Sequence, residues 1–532
     1  MRCFHAVNVL STVSAVCAAL PAPVVDLGYA KYQGYLNNQF GTMEYLGIRY
    51  AAAPTGPHRW REPQPPHPTT GVQMADKNPH TCYQGGIGTS PTNPLAQNSL
   101  TRRDEIAEPT PSEDCLFLNV FAPSSYGNDL PVVVWIHGGG YFGGNAYQYE
   151  GSDLVQYAGD GAIAVVIQYR LGIFGFLSGE KVHNGGVLNA GLLDQQFALQ
   201  WVQDHISKFG GDPAKVTIWG QSACAGSVIQ HIVANNGNTL FRAAITSSTY
   251  LPPQYAYNDR IPEKIFADVV TQAGCSSSND ALECLRRADI TITQSAFFGT
   301  CILVPVVDGT LITKRPTKLL KEGKINGEAF LAVTNSFEGT AFVNNTTVSR
   351  MTTAQYLTNM FPEMTKQQIA DGVNVYESAG LGGVIEQARA IMSEAIFVCP
   401  TYFLIKAVRG RGFKGEFAVP PALHGDDVAY YFANSPVAKL QTPPFANIEF
   451  TDDFSQLFMN FVLSLDPNVK WDSGNTTPDW PRWSEDGRDE MVFNRTSGVV
   501  GKEEPVIDVR RSEEGVLRRC AYWASVASST AR

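Results

Sequence analysis

The chain has 532 residues, of which 44% are hydrophobic and 17% are charged, so it can bury a large core. Its formal net charge is -10, with 40 Lys and Arg against 50 Asp and Glu. Nucleic-acid-binding proteins present a basic surface, so this balance argues against a nucleic-acid partner. The length allows several domains or one long α/β domain.

The first residues, MRCFHAVNVLSTVSAVCAALPAP, are typical of a secretory signal peptide. Arg2 gives a positive start, an apolar stretch follows, and the small residues Cys17, Ala18 and Ala19 close it, with cleavage expected near Ala19. We predict that residues 1–19 are removed and that the mature chain is secreted. The stretch is shorter than the ~20 apolar residues that span a bilayer, and we expect no later run to be long enough. Stable membrane insertion is therefore not expected.

Eight cysteines remain after the leader, and an oxidising compartment favours pairing among them. They are Cys82, Cys115, Cys224, Cys275, Cys284, Cys301, Cys399 and Cys520. Their spacing is not that of a zinc site, so we predict no metal. Glycosylation sequons are found at Asn344, Asn345, Asn475 and Asn494.

The segment between Cys82 and Cys115 is polar and rich in Gly, Pro, Ser and Thr. A loop of this length without regular structure is uncommon in a compact domain unless it has a function, such as that of a lid. We therefore predict a long surface loop over residues 83–114, for which a function such as that of a lid would account.

Short apolar runs then alternate with amphipathic ones. PVVVWIHGGG, GAIAVVIQYR, KVTIWG and FRAAITS predict four buried strands, and EAFLAVTNSFEG and GEFAVPPALHG predict two more. LLDQQFALQWVQDHISKFGG has apolar residues four apart, so it predicts a helix, and SACAGSVIQHIVA predicts another. Strands that alternate with helices imply a parallel sheet with helices on both faces.

Ser222 lies in GQSAC, between a predicted strand and a predicted helix. A nucleophile elbow is such a turn, and it exposes the serine hydroxyl near a helix N-terminus, which favours developing negative charge. An ordinary serine helix cap would give the same pattern. Cys224 stands where the second glycine of the motif is expected, so this segment alone leaves both interpretations open.

The segment HGGGYFGG, from His137, follows a predicted strand directly. Consecutive glycines leave backbone N–H groups unshielded, and such donors can stabilise the oxyanion of an acyl-transfer intermediate. A phosphate loop would need a GxGxxG or GxxxxGK[ST] pattern, and neither is present. HGGG with a downstream strand–serine–helix turn strongly indicates a serine hydrolase.

A serine nucleophile needs a neighbouring base. His424 is the only histidine beyond His231, and α/β-hydrolases place their triad in the order serine, acid, histidine, so His424 is the leading candidate. Glu338 and Asp308 each follow an apolar run and precede glycine. The pattern alone leaves the acid open between these two residues.

These segments together resemble the type-B carboxylesterase and lipase family, which includes the cholinesterases. The resemblance extends from about Gly34 to Phe493 and includes SEDCLFLNV, PVVVWIHGGGYFGG, the GQSACAGS region, FEGTAF and HGDDVAYYF. It implies an α/β-hydrolase fold in a single domain over residues 20–532, with a central, mostly parallel sheet and helices on both faces.

The resemblance also implies roles for individual residues. Ser222 would be the nucleophile, His424 the base and Glu338, in preference to Asp308, the acid. The oxyanion donors would be the amides of Gly139, Gly140 and Ala223. The implied disulfides are Cys82–Cys115, which closes the loop over the active-site entrance, and Cys275–Cys284. Cys301, Cys399 and Cys520 have no assigned partner.

The implied activity is hydrolysis of a small-molecule carboxylic ester through an acyl-enzyme intermediate, without a cofactor. A lipase acting on long-chain esters, an acyltransferase with the same triad, and a non-catalytic cholinesterase-like binding protein are the alternatives. The polar loop over residues 83–114 has no apolar face, which favours soluble or modest-sized esters. The oligomeric state is left open.

Two residues depart from the family's usual G-E-S-A-G. Gln221 replaces the glutamate, and the lost charge should affect the preference for cationic substrates and not the triad itself. Cys224 replaces the second glycine. Because cysteine is small and buries readily, we expect it to be accommodated in the packing. Action of Cys224 as a nucleophile would require an activating base, which a buried thiol lacks.

Overall fold

The computed structural model describes residues 23–85, 109–125, 127–234, 240–289, 303–498 and 501–532. The predicted signal peptide and residues 86–108 of the predicted loop lie outside these ranges. The described strands are β1 Val24–Asp26, β2 Lys31–Gln33, β3 Tyr35–Asn37, β4 Thr42–Arg49, β5 Val72–Met74, β6 Thr81–Cys82, β7 Pro111–Ser112, β8 Phe117–Pro123, β9 Leu130–Ile136, β10 Ile163–Ile167, β11 Gly211–Gln221, β12 Ala243–Ser247, β13 Ala329–Asn335, β14 Gly412–Phe417, β15 Asp489–Arg495 and β16 Pro505–Arg511.

Eleven of these strands form one sheet in the order β16-β15-β14-β13-β12-β11-β9-β10-β8-β4-β3. The seven strands from β15 to β10 in this order are parallel to one another. The strands beyond them, β16 at one end and β8, β4 and β3 at the other, pair in antiparallel fashion. The carboxyl ends of the parallel strands therefore lie along one edge of the sheet, where ligands bind in open α/β sheets. The predicted fold class is confirmed.

The described helices connect the strands and cover the sheet. They are Gly151–Tyr157, Gly172–Phe176, Glu180–Gly185, Ala190–His205, Ala223–Val233, Arg260–Gln272, Ala281–Arg287, Pro316–Lys321, Asn345–Val348, Thr353–Met360, Lys366–Glu377, Val384–Ser393, Cys399–Ala407, Val428–Tyr431, Pro436–Leu440, Ile448–Ser464 and Glu514–Ser525. A π-helical turn, Glu394–Val398, joins the two helices around it without a break.

The central strands are buried on both faces. In β9, Val132 and Val134 pack into one hydrophobic cluster, whereas Val133 and Trp135 pack into a second cluster across the sheet. Burying a side chain of this kind contributes about 1.5–3 kcal/mol. Because both faces are covered, the strands are continuous apolar runs, which is why the sequence predicted them.

The predicted amphipathic helix is Ala190–His205. It is fixed to the end of β10 by a buried ion pair, in which the Arg170 guanidinium donates to both carboxylate oxygens of Asp194 at 2.7 Å. Removing one partner of a buried pair typically costs about 3–5 kcal/mol, because the other charge is left uncompensated.

One helical stretch, Val384–Ala407, is long and apolar enough by length and composition to cross a membrane. This corrects the expectation that no run after the leader would be long enough. Charged residues such as Arg389 and Glu394 interrupt the apolar pattern in the sequence, but the π-helical turn joins two shorter helices into one. In the folded chain, 72% of its most apolar window is buried within the protein.

Three disulfides are formed among the described cysteines. Cys82–Cys115 and Cys275–Cys284 are confirmed. The third, Cys399–Cys520, was not predicted and fastens the C-terminal helix to helix Cys399–Ala407. Cys224 is a buried free thiol. Cys301 lies outside the described residues.

Candidate active site

Ser222 occupies a strained turn between β11 and helix Ala223–Val233. Its backbone φ is 57° and its ψ is -125°, a region that L residues rarely adopt and that is enriched at functional sites. The turn requires glycine at position 220, because a Cβ there would lie 2.3 Å from the Cys224 carbonyl oxygen. The local geometry is therefore that of a nucleophile elbow and not of an ordinary cap.

The structure brings Ser222, His424 and Glu338 into one hydrogen-bonded chain. His424 Nε2 lies 2.8 Å from Ser222 Oγ, and His424 Nδ1 lies 2.5 Å from Glu338 Oε2. The three residues follow β11, β14 and β13, whose carboxyl ends lie along the same sheet edge; β13 and β14 are neighbours, and β12 separates them from β11. The arrangement suits an Nδ1–H that donates to the carboxylate and an Nε2 that accepts the serine proton.

Asp308, the other candidate acid, lies in a different turn. Its Oδ1 accepts hydrogen bonds from the backbone N–H groups of Thr310 and Ile312, and its Oδ2 accepts one from Asn189 Nδ2 at 2.6 Å. These contacts give Asp308 the role of a structural residue, and the position beside the histidine belongs to Glu338.

A buried amide and a second buried acid support Glu338. The Asn335 backbone N–H donates to Glu338 Oε1 at 2.7 Å, and Asn335 Nδ2 donates to Asp427 Oδ1 at 2.9 Å. The pKa of Asp427 is raised to about 6, mainly by burial. The hydrogen bond from Asn335 acts to lower this pKa, and the Glu338 charge acts to raise it. Asp427 thus helps to hold the turn that presents Glu338.

The glycine turn after β9 lies beside Ser222. Gly139 has φ +116°, and a Cβ there would lie 2.1 Å from the Gly143 carbonyl oxygen, so no other residue fits. The Gly139 carbonyl oxygen accepts hydrogen bonds from the backbone N–H groups of Phe142 and Gly143, which closes the turn. Gly139, Gly140 and Ser222 line the same cavity. Their role as oxyanion donors, together with Ala223, stays a prediction.

The beginning of the predicted covering loop contacts this glycine turn. Gln84 Nε2 donates to the Gly144 carbonyl oxygen at 2.9 Å, and the Gly144 N–H donates to Gln84 Oε1 at 2.7 Å. The other end is held by Glu113, which pairs with the buried Arg59 at 2.5 Å. Both described ends of the loop are therefore anchored, the first of them at the glycine turn, whereas residues 86–108 lie outside the described ranges.

Cys224 is accommodated behind the glycine turn. Its Sγ lies 2.7 Å from the His137 carbonyl oxygen and 2.8 Å from Tyr169 Oη. Burial raises the pKa of this thiol to about 12, even though the hydrogen bonds from Tyr169 and Ser227 lower it. A thiol of this kind stays protonated at neutral pH, which argues against a nucleophilic role.

Gln221 contacts the candidate base directly, which corrects the expectation that its effect would not fall on the triad itself. Its Nε2 lies 3.3 Å from His424 Nε2, and the side chain is buried in the cavity wall. Gly138 makes room for it, because a Cβ at that position would lie 2.6 Å from Gln221 Oε1. Residue 221 is therefore placed to influence the electrostatics of the imidazole.

The three residues open into a cavity of about 590 Å³. The rings of Phe342 and Phe397 pack against the His424 imidazole with centroid distances of 4.8 and 4.6 Å. Further apolar lining residues are Tyr250, Met360, Met392, Ile396, Val437 and Leu440. Sequence reasoning missed this wall, because it comes from segments without a motif and is assembled only by tertiary packing.

The glycosylation sequons differ in their surroundings. Asn345 is exposed, and Asn344 and Asn494 are half-buried, so glycans there stay predictions. Asn475 is buried, and its Nδ2 donates to the Asp453 carbonyl oxygen and to Gln456 Oε1. A glycan on this nitrogen would replace one of these hydrogen bonds and would need space that the packing does not leave. The burial of Asn475 therefore argues against a glycan there, and glycosylation at this position stays a prediction.

The strand order and the strand–serine–helix turn define an α/β-hydrolase. The family profile described as "Carboxylesterase family" matches residues 21–503. The chain is 30% identical to carboxylesterase patB of Aspergillus clavatus, over 96% of this chain and 97% of the relative. It is also 30% identical to the secreted triacylglycerol lipase LIP1 of Gibberella zeae, over 83% and 82% respectively.

Among solved structures, EstA of Aspergillus niger superposes with a TM-score of 0.82 at 29% identity, over 96% of this chain and 99% of that one. The chain belongs to the carboxylesterase family and is a carboxylic ester hydrolase.

Proposed function

We propose that the chain is a secreted serine esterase that works through an acyl-enzyme on Ser222. The observation that carries the proposal is the continuous hydrogen-bonded chain from Ser222 Oγ through the His424 imidazole to the buried Glu338 carboxylate. A hydroxyl is a weak nucleophile at neutral pH, and an oriented imidazole is the base that activates it.

Acylation follows from this geometry. Ser222 Oγ attacks the ester carbonyl carbon while His424 Nε2 takes the hydroxyl proton. The Glu338 carboxylate stabilises the imidazolium through Nδ1, and the backbone N–H groups of Gly139, Gly140 and Ala223 stabilise the oxyanion. The tetrahedral intermediate collapses as the imidazolium gives its proton to the leaving alcohol.

Deacylation repeats the same steps with water as the nucleophile. His424 Nε2 takes a proton from water, which attacks the acyl carbonyl, and the imidazolium then returns a proton to Ser222 Oγ. An alcohol in place of water would give acyl transfer, which product analysis with a competing alcohol measures. A non-catalytic binding role is disfavoured, because all three triad groups are in contact.

The lining of the cavity supports an uncharged acyl or alcohol group. Aromatic and thioether side chains such as Phe342, Phe397 and Met392 form its wall. The polar groups include Gln148, Gln441 and Asp426, and burial raises the pKa of the Asp426 carboxyl. We propose soluble, modest-sized esters as substrates. Hydrolysis of long-chain esters is the second candidate, favoured by this apolar wall and by the relative named as a triacylglycerol lipase.

Secretion is supported by two observations. Three disulfides join six of the described cysteines, all except Cys224, which is typical of oxidising compartments. Relatives in Gibberella zeae and Botryotinia fuckeliana are named as secreted lipases. Detection of the chain in culture medium, with an N-terminus close to residue 20, tests the proposal.

A serine-reactive phosphonate tests the nucleophile. We expect one adduct on Ser222, with loss of ester hydrolysis in step with labelling, and no adduct on the variant Ser222→Ala. Ser227→Ala is the matched control, since Ser227 is buried in the same helix and bonds to Gln195. Labelling that persists in Ser222→Ala, or an unlabelled active enzyme, would contradict the proposal.

Nitrophenyl esters of increasing acyl length decide between the two substrate classes. Short and medium chains in solution should give the highest kcat/KM. Higher activity on emulsified long chains than on dissolved short ones would favour the lipase.

A further inference from the structure

A large groove lies away from the catalytic cavity. It encloses about 1100 Å³ and is bounded by helix Pro316–Lys321, by the end of helix Cys399–Ala407 and by residues 524–532. The catalytic cavity and this groove share no lining residue. We call it the basic groove for the side chains described below.

The basic groove lies at the opposite edge of the sheet from the triad. Lys321 and Arg409 precede β13 and β14, respectively, so they lie near the amino ends of these strands. Glu338 and His424 follow the carboxyl ends of the same two strands. A ligand in the groove would therefore lie across the thickness of the domain from Ser222.

The lining of the groove is strongly cationic. Six basic residues contribute, namely Lys314, Arg315, Lys318, Lys321, Lys406 and Arg409. Arg532 also borders the groove, but its guanidinium is buried 4.9 Å from the Trp523 ring centroid. Glu322 is the one acidic side chain in the lining, and it pairs with Lys314 at 2.8 Å.

Most of this positive charge is not neutralised. In the part of the chain that the structure describes, the five basic residues other than Lys314 have no carboxylate within ion-pair distance. The hydrogen bond from Lys314, with help from the charges of Lys324 and Lys318, holds the pKa of Glu322 below its usual value. In a chain whose net charge is -10, this cluster is a local reversal of sign.

The surface between the cations is mostly apolar. Its apolar part is formed by Ala256, Val307, Leu320, Phe403, Ala407, Ala524 and Ala527, and Thr317, Ser525 and Ser528 add three hydroxyl groups to the lining. A lysine in the last turn of a helix complements the helix dipole, and this effect explains the individual positions of Lys318, Lys321 and Lys406. The dipoles do not account for Arg315 and Arg409, or for the convergence of both helix ends on one apolar cavity.

We propose that the basic groove binds a single amphiphilic carboxylate, whose head pairs with the cations while its alkyl body lies on the apolar floor. A polyanion would pair with the cations but leave the apolar floor exposed to water. A neutral apolar molecule would cover the floor but leave the cations unpaired. A carboxylate is also what ester hydrolysis releases, so the groove would hold the reaction's class of product away from the triad. The proposal does not depend on the identity of the nucleophile.

The test is calorimetric titration of the intact protein with sodium dodecanoate. The charge-reversal pair Lys318→Glu and Lys406→Glu should weaken binding by roughly tenfold or more, and added salt should weaken it in the wild type. The matched pair Lys181→Glu and Lys366→Glu changes net charge equally at exposed lysines outside the groove and should have little effect.

Related probes separate the two parts of the site. Propionate, which lacks the tail, and dodecanol, which lacks the charge, should each bind much more weakly than dodecanoate. If inorganic phosphate binds as tightly as dodecanoate, the groove recognises only charge, and the proposal of an amphiphilic ligand is wrong. No binding of dodecanoate at all, or binding unchanged by the Lys318 and Lys406 pair, would overturn the site.

Dodecanoate can also enter the catalytic cavity, so the titration is repeated on phosphonate-blocked enzyme. Binding that is retained after blocking and lost on charge reversal supports the groove. If blocking abolishes binding and charge reversal leaves binding unchanged, dodecanoate binds in the catalytic cavity and the proposal of a groove site is wrong. If Ser222 does not react with the phosphonate, the charge-reversal comparison still decides, so failure of the catalytic proposal stays distinguishable.

Discussion

Tyr169 and Cys224 meet behind the glycine turn, where both contact the same backbone atom. Tyr169 Oη lies 3.0 Å and Cys224 Sγ lies 2.7 Å from the His137 carbonyl oxygen. His137 directly precedes the glycines, and its ring stacks on Tyr169 with a centroid distance of 4.7 Å. The cysteine that departs from the family motif is therefore part of the packing that supports the turn.

Replacing Cys224 tests this packing role. Cys224→Gly should lower the free energy of unfolding by about 1–3 kcal/mol, because it leaves a buried cavity and puts glycine in a helix. Ester hydrolysis should survive, whereas Ser222→Ala should abolish it. Cys224→Ser is the control, since its hydroxyl can still donate to the His137 carbonyl oxygen. Urea unfolding with parallel kcat measurements decides, and loss of activity in both cysteine variants at unchanged stability would indicate a chemical role.

The assignment of the acid can be tested by comparing two amide variants. Glu338→Gln should reduce kcat by roughly 10²–10⁴-fold with little change in KM, because the neutral amide cannot stabilise the imidazolium. Asp308→Asn should leave kcat nearly unchanged and lower stability, since Asp308 accepts backbone hydrogen bonds. A larger kcat loss in Asp308→Asn would reverse the assignment.

Gln221→Glu restores the charge that the family motif usually carries. A carboxylate beside the imidazole stabilises its protonated form, so the acid limb of the kcat/KM profile should move to higher pH. The kcat/KM for esters of cationic alcohols should increase relative to that for esters of neutral alcohols. Gln441→Glu puts the same charge elsewhere in this cavity and is the matched control. A shift of the same size in both variants would show a general field effect and no particular role for residue 221.

Asp427 gives the fold a component of pH dependence. Its pKa is raised by burial to about 6 from an ordinary 3.8, so the folded chain holds a proton that the unfolded chain releases. This contribution to stability is present below about pH 3.8 and is lost as pH rises to about 6. Asp427→Asn should therefore flatten the wild-type change in melting temperature across that window. Parallel profiles for both proteins would contradict the prediction.

Removing Cys399–Cys520 should destabilise the chain more than removing Cys275–Cys284. The two bridges span 121 and 9 residues, so chain entropy gives about 5 and about 3 kcal/mol respectively. Paired alanine variants and urea unfolding provide the comparison. Equal losses would show that packing around the bridges outweighs chain entropy.

The fold was predictable where the chain is locally periodic. The apolar runs of β9, β10 and β12 predict buried parallel strands, because both sheet faces are covered. The strand–serine–helix turn was predictable in the same way, since Gly220 and Ser222 are only two positions apart in the sequence. The choice of Glu338 over Asp308 came from resemblance and not from the residue pattern, which was the same for both.

The rest of the site depends on long-range packing. Phe342 and Phe397 meet His424 only after β13, β14 and the π-helical turn have assembled, and no local pattern encodes this. The Cys399–Cys520 pairing was missed for the same reason. Asn475 carries a correct sequon, but burial is a property of the fold and not of the three-residue motif.

The disulfide to Cys520 has a consequence for the timing of biosynthesis. Helix Glu514–Ser525 backs the π-helical turn through this bridge and through the pair between Arg519 and Glu394. That turn carries Phe397, so the wall against the imidazole lacks this support until Cys520 has been made, well after His424. A ribosome-bound chain can therefore contain Ser222, Glu338 and His424 before Cys520, so these candidate triad residues are made before the segment that supports the cavity wall.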